Sequence, residues 1–324
     1  MDDVRVAAVA PVACSVVIPV LNEEECLPEL TDRLMKTLDG LGEPSEVIFV
    51  DDGSRDGGPD FLRGVIAREP RVSMIRLLGH FGQHAALSAG IEQSRGEIVV
   101  LLDADLQSDP EALPAFLTKV REGYDLVSGW RTARTEVGLA RRWASAALTW
   151  LINRSTGVSL HDHGCGFKAM TRQLAQRTRQ YGQMRRFLPA LLARLARNVA
   201  ELPVTNQRRP RGRSRYSFFQ LMGLALEFLI EFSVRPFQAV GMLGIALLAL
   251  GIAGGVGYSV GRLFGMPAMD RVLVFMVLLV FFGFQVTLLG LLGEYLIRTY
   301  HAAQRLPLFV IDEVVVHERS KADA

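Results

Sequence analysis

Cysteine is scarce in this chain: Cys14, Cys26 and Cys165 are the only three in 324 residues, and no two form a CxxC pair. So odd and sparse a set excludes a disulfide framework and reads as free thiols in a reducing compartment. An excess of one charge is also missing. The 36 basic and 34 acidic residues leave +2, which excludes a general nucleic-acid binder. No secretory signal opens the chain, because Asp2, Asp3 and Arg5 precede only a short Ala/Val stretch. Residues 1–13 are therefore expected to be a poorly ordered leader, with the catalytic part in the cytosol. There is no repeat at solenoid periods and no low-complexity tract.

What is present is an alternation of strand and helix signals from Ser15 to about Asn206. Ser15–Val20, Glu46–Val50, Val72–Leu77, Ile98–Leu102 and Asp125–Gly129 read as strands. Helical stretches lie near Glu23–Leu38, Pro59–Arg68, Gln83–Ser94, Pro110–Glu122 and Gly138–Asn153. The pattern predicts a mainly parallel sheet covered by helices on both faces, over residues 14–215.

The character then changes. Tyr216–Arg235 is strongly apolar, yet Glu227 and Glu231 lie one helical turn apart, which predicts an interfacial amphipathic helix over 216–235. A two-helix anchor is expected over 236–298, because about 240–260 and 272–292 are uncharged and long enough to span a bilayer. The arginines outside the pair place both termini in the cytoplasm, with 299–324 as a cytoplasmic tail. Gly251/Gly255 and Gly257/Gly261 have small-xxx-small spacing, which permits close helix packing within a protomer or between protomers.

Two acidic strand ends carry the chemistry, Asp51-Asp52-Gly53-Ser54 and Asp103-Ala104-Asp105-Leu106-Gln107. Carboxylates where parallel strands leave a sheet suit a ligand site. Asp103 and Asp105, with Gln107 continuing the row at period two, suit a hard cation such as Mg²⁺ or Mn²⁺ that leaves room for diphosphate oxygens. Asp51-Asp52 is also a good turn sequence, and both roles can hold together. The Pro19–Glu23 loop ends the first strand on the same edge and is expected to join the pocket. Five arginines between Arg208 and Arg215 can anchor to anionic lipid or clamp a phosphate.

Pro19–Glu23, Val50–Ser54, Asp103–Gln107 and Gly129-Trp130-Arg131 resemble the inverting family 2 glycosyltransferases of the GT-A fold. Phe81–Leu87, Asp162–Lys168 and Gly212–Ser217 resemble the polyprenyl-phosphate branch of that family. The likeness is nearest to the undecaprenyl-phosphate 4-deoxy-4-formamido-L-arabinose transferase and dolichyl-phosphate mannose synthase types. It implies that Pro19, Asn22, Glu23, Asp51 and Asp52 meet the donor nucleotide. Asp103, Asp105 and Gln107 would handle metal and diphosphate, with Arg131 and Arg141 or Arg142 on donor or acceptor phosphate. Arg209, Ser214, Arg215 and Lys168 are implied at the acceptor phosphate. Arg215 stands where the branch usually has lysine and Lys168 where it has arginine, and these side chains differ in hydrogen-bond geometry.

The expected reaction is inverting transfer from a nucleotide-sugar, UDP-linked, to a polyprenyl phosphate in the bacterial inner membrane, for envelope glycan modification. Two rivals remain open: a transferase extending a glycan at a sugar hydroxyl, and a non-catalytic nucleotide-sugar sensor. The first needs a carboxylate base and often a Gln-x-x-Arg-Trp motif, and Arg141-Arg142-Trp143 lacks the glutamine.

Overall fold

The structure is a computed structural model that describes residues 12–131, 153, 158, 160–205, 235–265, 267, 270–303 and 307–317. The strands are β1 Cys14–Val20, β2 Ser45–Asp51, β3 Val72–Leu77, β4 Ile98–Leu101, β5 Leu126–Arg131, β6 Lys168–Thr171, β7 Val199–Val204 and β8 Ile311–Val315. They form one sheet in the order β7-β5-β6-β4-β1-β2-β3-β8. β1 pairs parallel with β2 and β4, β2 with β3, and β5 with β7. β6 runs antiparallel between β4 and β5, and β8 runs antiparallel to β3. The carboxyl ends of β1, β2, β4 and β5 and the amino end of β6 therefore share one edge.

The α/β class and mainly parallel sheet expected of a GT-A domain are what the chain forms. β1 and β2 are buried nearly throughout, as strands covered on both faces must be. One face packs against α1 Leu27–Leu41, α2 Gly58–Ile66 and α4 Leu113–Arg121 through Leu30, Leu34, Leu62, Phe116 and Leu117. The other packs against α3 Gln83–Gln93, α5 Arg172–Thr178 and α6 Leu188–Leu195 through Ala86, Ala89, Leu174, Leu188 and Leu192. α3 lies close to the sheet because a methyl on Gly90 would overlap Val17.

Two compact units emerge, Met1–Phe218 with Leu306–Ala324, and Phe219–Arg305. The second contains α7 Arg235–Leu263 and α8 Asp270–Ala303, longer than the expected spans. Apolar stretches of 27 residues, Phe237–Leu263 and Arg271–Ile297, are long enough to cross a membrane. Their large side chains, including Leu243, Ile252, Phe281 and Leu289, face outward. Gly244, Gly251 and Gly254 pack directly on α8, and Gly283 on α7, whereas Gly255 and Gly257 have open space where a side chain would be. The predicted small-residue spacing thus serves the intramolecular contact at Gly251 and not at Gly255.

Within the expected tail, residues 299–303 are the end of α8 and Ile311–Val315 is β8. The amphipathic helix expected at 216–235 lies outside the described residues up to Arg235, as does the helix expected at 138–153 up to Asn153.

Candidate active site

The loops that leave β1 and β2 are tied to each other. Asn22 N donates to Ser54 Oγ at 3.0 Å, and Asn22 Oδ1 accepts from Arg55 N at 2.9 Å. Glu24 N donates to Asp56 Oδ2 at 3.0 Å, and Glu24 Oε2 accepts from Gly57 N at 2.9 Å. Asn22 adopts a left-handed φ of 55°, which asparagine tolerates better than most residues. Pro19 sits in β1 opposite Val50, and the Glu23 carbonyl accepts from Cys26 N and Leu27 N. The Cys26 thiol is pushed up by burial and by the carboxylates of Glu23 and Asp105, which marks where the β1 and β4 loops meet.

Asp51 and Asp52 have different duties. Asp51 is fully buried; its Oδ1 accepts from Ser54 N at 2.9 Å. Its Oδ2 lies 3.4 Å from Arg76 Nε and has no hydrogen bond, an unsatisfied acceptor of the kind that a ligand N–H would complete. The Asp52 carboxylate accepts from Phe81 N at 2.7 Å and Gly82 N at 2.9 Å, and lies 2.8 Å from His80 Nδ1. Asp52 thereby fastens the turn that starts α3, while the turn role that the Asp51-Asp52 sequence allowed falls to Asp51, which holds Ser54 N.

At the end of β4 the strand stops at Leu101, and residues 104–107 turn. The straight period-two row expected for Asp103, Asp105 and Gln107 is therefore broken. Asp105 Oδ1 accepts from Gln107 N at 3.1 Å, and Leu106 between them has a φ of 56°. That conformation costs a non-glycine residue about 1–3 kcal/mol. Burying the Leu106 side chain, 3% exposed, contributes about 1.5–3 kcal/mol and offsets it. Asp103 Oδ1 accepts from Gln83 Nε2 at 2.7 Å, so α3 is joined to this end too. Among the described residues no three Asp, Glu, His or Cys side chains are grouped as a metal site. Two carboxylates on one turn fit a hard cation that takes its remaining ligands from a diphosphate, and not a protein-only cage.

The neighbouring strand ends are basic. Arg131 closes β5 and grips Asp162, with Nε donating to Oδ2 at 2.7 Å and Nη2 to Oδ1 at 3.1 Å. Burial pulls the guanidinium pKa down, but Asp162, together with Cys165 and Asp103, makes the net shift upward. Lys168 opens β6, is 3% exposed, and donates from Nζ to Ser128 Oγ at 2.8 Å. Burial lowers its pKa. His84 and His163 are held down to about 4, by burial first and by the Lys168 charge second. Nδ1 of each is buried without a hydrogen-bond partner.

Asp103, Asp105, Gln107, Arg131 and Lys168 thus come from adjacent strand ends, while Pro19, Asn22, Glu23, Asp51 and Asp52 occupy the ends of β1 and β2 and the loops that follow. Arg141, Arg142, Arg209, Ser214 and Arg215 lie outside the described residues. Sequence reading missed Gln83, Arg76 and Ser128 as partners of the site. Its one usable signal was the position of Gln83, which opens a helix directly after Gly82.

Residues 15–179 match the family model described as glycosyl transferase family 2. The undecaprenyl-phosphate 4-deoxy-4-formamido-L-arabinose transferase of Shewanella sediminis is 36% identical over 311 residues, covering 95% of this chain and 94% of that protein. The protein of the same name from Pseudomonas fluorescens is 38% identical over 310 residues, covering 94% and 91%. Among solved structures, glucosyl-3-phosphoglycerate synthase from Mycobacterium tuberculosis is similar at a TM-score of 0.47 and 19% identity, over 67% of this chain and 77% of that one.

Proposed function

The chain belongs to glycosyl transferase family 2, and we propose that it transfers a sugar from a UDP-linked donor to a polyprenyl phosphate such as undecaprenyl phosphate. The observation that carries this reading is the division of one sheet edge into an acidic end, Asp103 and Asp105, and a basic end, Arg131 and Lys168. A leaving diphosphate belongs at the first and an anionic nucleophile at the second. The names of relatives covering more than nine-tenths of the chain support the lipid phosphate as that nucleophile.

A phosphate monoester has a second pKa of about 6 and is largely ionised at neutral pH. It therefore needs no carboxylate base, only a seat beside another anion. Arg131, oriented by Asp162, and the buried Lys168 supply positive charge for that seat. The acceptor oxygen forms the new bond to the anomeric carbon as the bond to the diphosphate breaks, its electron pair leaving with the nucleoside diphosphate. One such in-line displacement inverts the anomeric configuration. Asp103, Asp105 and Gln107 would hold a Mg²⁺ or Mn²⁺ ion, which when bound neutralises the diphosphate as a Lewis acid. The Asp51 carboxylate, with its unsatisfied Oδ2, suits an N–H of the nucleotide.

The two apolar helices support a multi-pass place in the bacterial inner membrane, with both termini cytoplasmic. Gly255 and Gly257, unused in the α7–α8 contact, leave a strip where a second copy can pack. The test is turnover of purified protein with undecaprenyl phosphate, a panel of UDP- and GDP-sugars, and Mn²⁺ or EDTA. The expected product is a metal-dependent glycosyl phospholipid of inverted configuration, reduced at least a hundredfold in Asp105→Ala. Retained configuration, or donor binding with no lipid product across the panel, rejects the proposal.

A further inference from the structure

The end of β5 carries an exposed aromatic side chain that none of these roles uses. Trp130 is 37% exposed, and its ring stacks on the His161 imidazole with centroids 4.6 Å apart and planes 23° from parallel. Glu201 on β7 fixes His161 in turn, accepting from its backbone N at 2.9 Å and lying 2.7 Å from Nδ1. An indole backed on one side by a tethered ring is a preformed platform, whose ordering cost is met before any ligand arrives.

The sheet register shows what stands opposite. Ser128 pairs with Lys168, and Gly129 N donates to Phe167 O at 2.8 Å, so one step further Trp130 stands beside Gly166. On the other side of β6, Leu101 pairs with Lys168, and two steps on Asp103 meets the same Gly166. A methyl on Gly166 would overlap the Asp103 carboxylate, which confirms the approach. By the period-two rule, Trp130, Gly166 and Asp103 belong to the face that carries Leu126, Met170 and Leu101. The row therefore has an aromatic wall at one end, and the Asp103 carboxylate reaches from the other end over Gly166. The two strands that carry Trp130 and Asp103 lie two spacings, about 10 Å, apart, so one monosaccharide at this edge can touch both side chains.

The surroundings choose between the two apolar surfaces that could meet Trp130. Lys168 Nζ and Ser128 Oγ sit one pair down the same face, and Gln83 donates to the Asp103 carboxylate. Lys168 and Ser128 are already buried, but an isoprenoid chain laid there would strip water from the Asp103 carboxylate and the exposed Gln83 amide and give no hydrogen bonds back, which is costly. A sugar turns its C–H face to the indole and its hydroxyls to the Asp103 carboxylate and the Gln83 amide. We infer that Trp130, backed by His161, is the wall of the donor-sugar subsite, against which an apolar face of the transferred monosaccharide packs. The inference rests on the nucleotide-sugar reading given above.

The test measures binding of UDP, GDP, UDP-glucose, UDP-galactose, UDP-N-acetylglucosamine and GDP-mannose to the full chain in detergent with Mn²⁺. Wild type, Trp130→Ala and Trp130→Phe are compared by titration calorimetry, with melting curves to show that each is folded. At least one sugar conjugate is expected to bind wild type more tightly than its nucleoside diphosphate. Trp130→Ala should lose about tenfold of that increment, Trp130→Phe should keep most of it, and nucleoside diphosphate affinity should not change. An intact increment in Trp130→Ala, equal weakening of diphosphate and conjugate, or no increment in wild type each overturns the inference. So does a rise confined to the KM for undecaprenyl phosphate, which would assign the platform to the lipid while leaving the transferase reading in place. A wild type that shows the increment but makes no glycolipid would instead reject the transferase reading alone.

Discussion

Arg131 commits Nε and Nη2 to Asp162, and Asp162 also accepts the Gly164 N–H at 3.0 Å. One carboxylate thus orients the guanidinium and holds the 160–167 loop against β5. The pair is largely buried, where removing one partner strands a charge. Asp162→Asn is expected to slow glycolipid formation about tenfold, by loosening a two-pronged contact worth about 1.5 kcal/mol or more. Arg131→Lys should do the same, because an ammonium cannot reproduce the fork. Initial rates with saturating donor check both. His84 and His163 make a second prediction. Their folded pKa of about 4 lies below the ordinary 6.5, so between those values the unfolded chain binds protons that the folded chain refuses. Their contribution is present above pH 6.5 and lost as pH falls toward 4, by at most about 3 kcal/mol for each. The melting temperature should fall between pH 7 and pH 4.5, and fall less in His163→Gln.

At the scale of elements, the apolar β-branched runs named β1 to β5 within a residue or two, because a strand covered on both faces must be apolar nearly throughout. β6 and β7 escaped that reading. β6 opens with a buried lysine, and β7 is only partly buried along its length. The acidic turn after β4 was legible as chemistry and illegible as geometry. Its left-handed Leu106 depends on a core pocket contributed by other segments, which no local rule contains. The same holds for the glycines of α7. Spacing marks them as small, but only the position of α8 decides that Gly251 and Gly254 are in contact and Gly255 is not.

For the whole molecule, the informative element is β8. It follows the apolar helices in the chain, yet it completes the sheet beside β3. Leu78 N donates to Val310 O at 2.9 Å, Arg63 Nη2 pairs with Glu313 at 2.6 Å, and His317 Nδ1 donates to Ile66 O at 2.8 Å. Leu308 is buried, and Phe309 and Ile311 pack on the α3 side of the core. Deleting residues 308–324 should lower the melting temperature of the catalytic unit by about 10 °C, given several kcal/mol lost at roughly 2–4 °C each. Differential scanning calorimetry in detergent would read it, and an unchanged transition would show that β8 is dispensable. By itself the sequence determined the class of fold, the two apolar helices and the acidic strand ends, because burial period, segment length and carboxylate spacing are local properties. Only the tertiary structure decided that Asp52 fastens a loop, that Asp162 aims Arg131 and that Trp130 faces Asp103 across Gly166. Those facts depend on register between strands far apart in the chain, and register is set by packing.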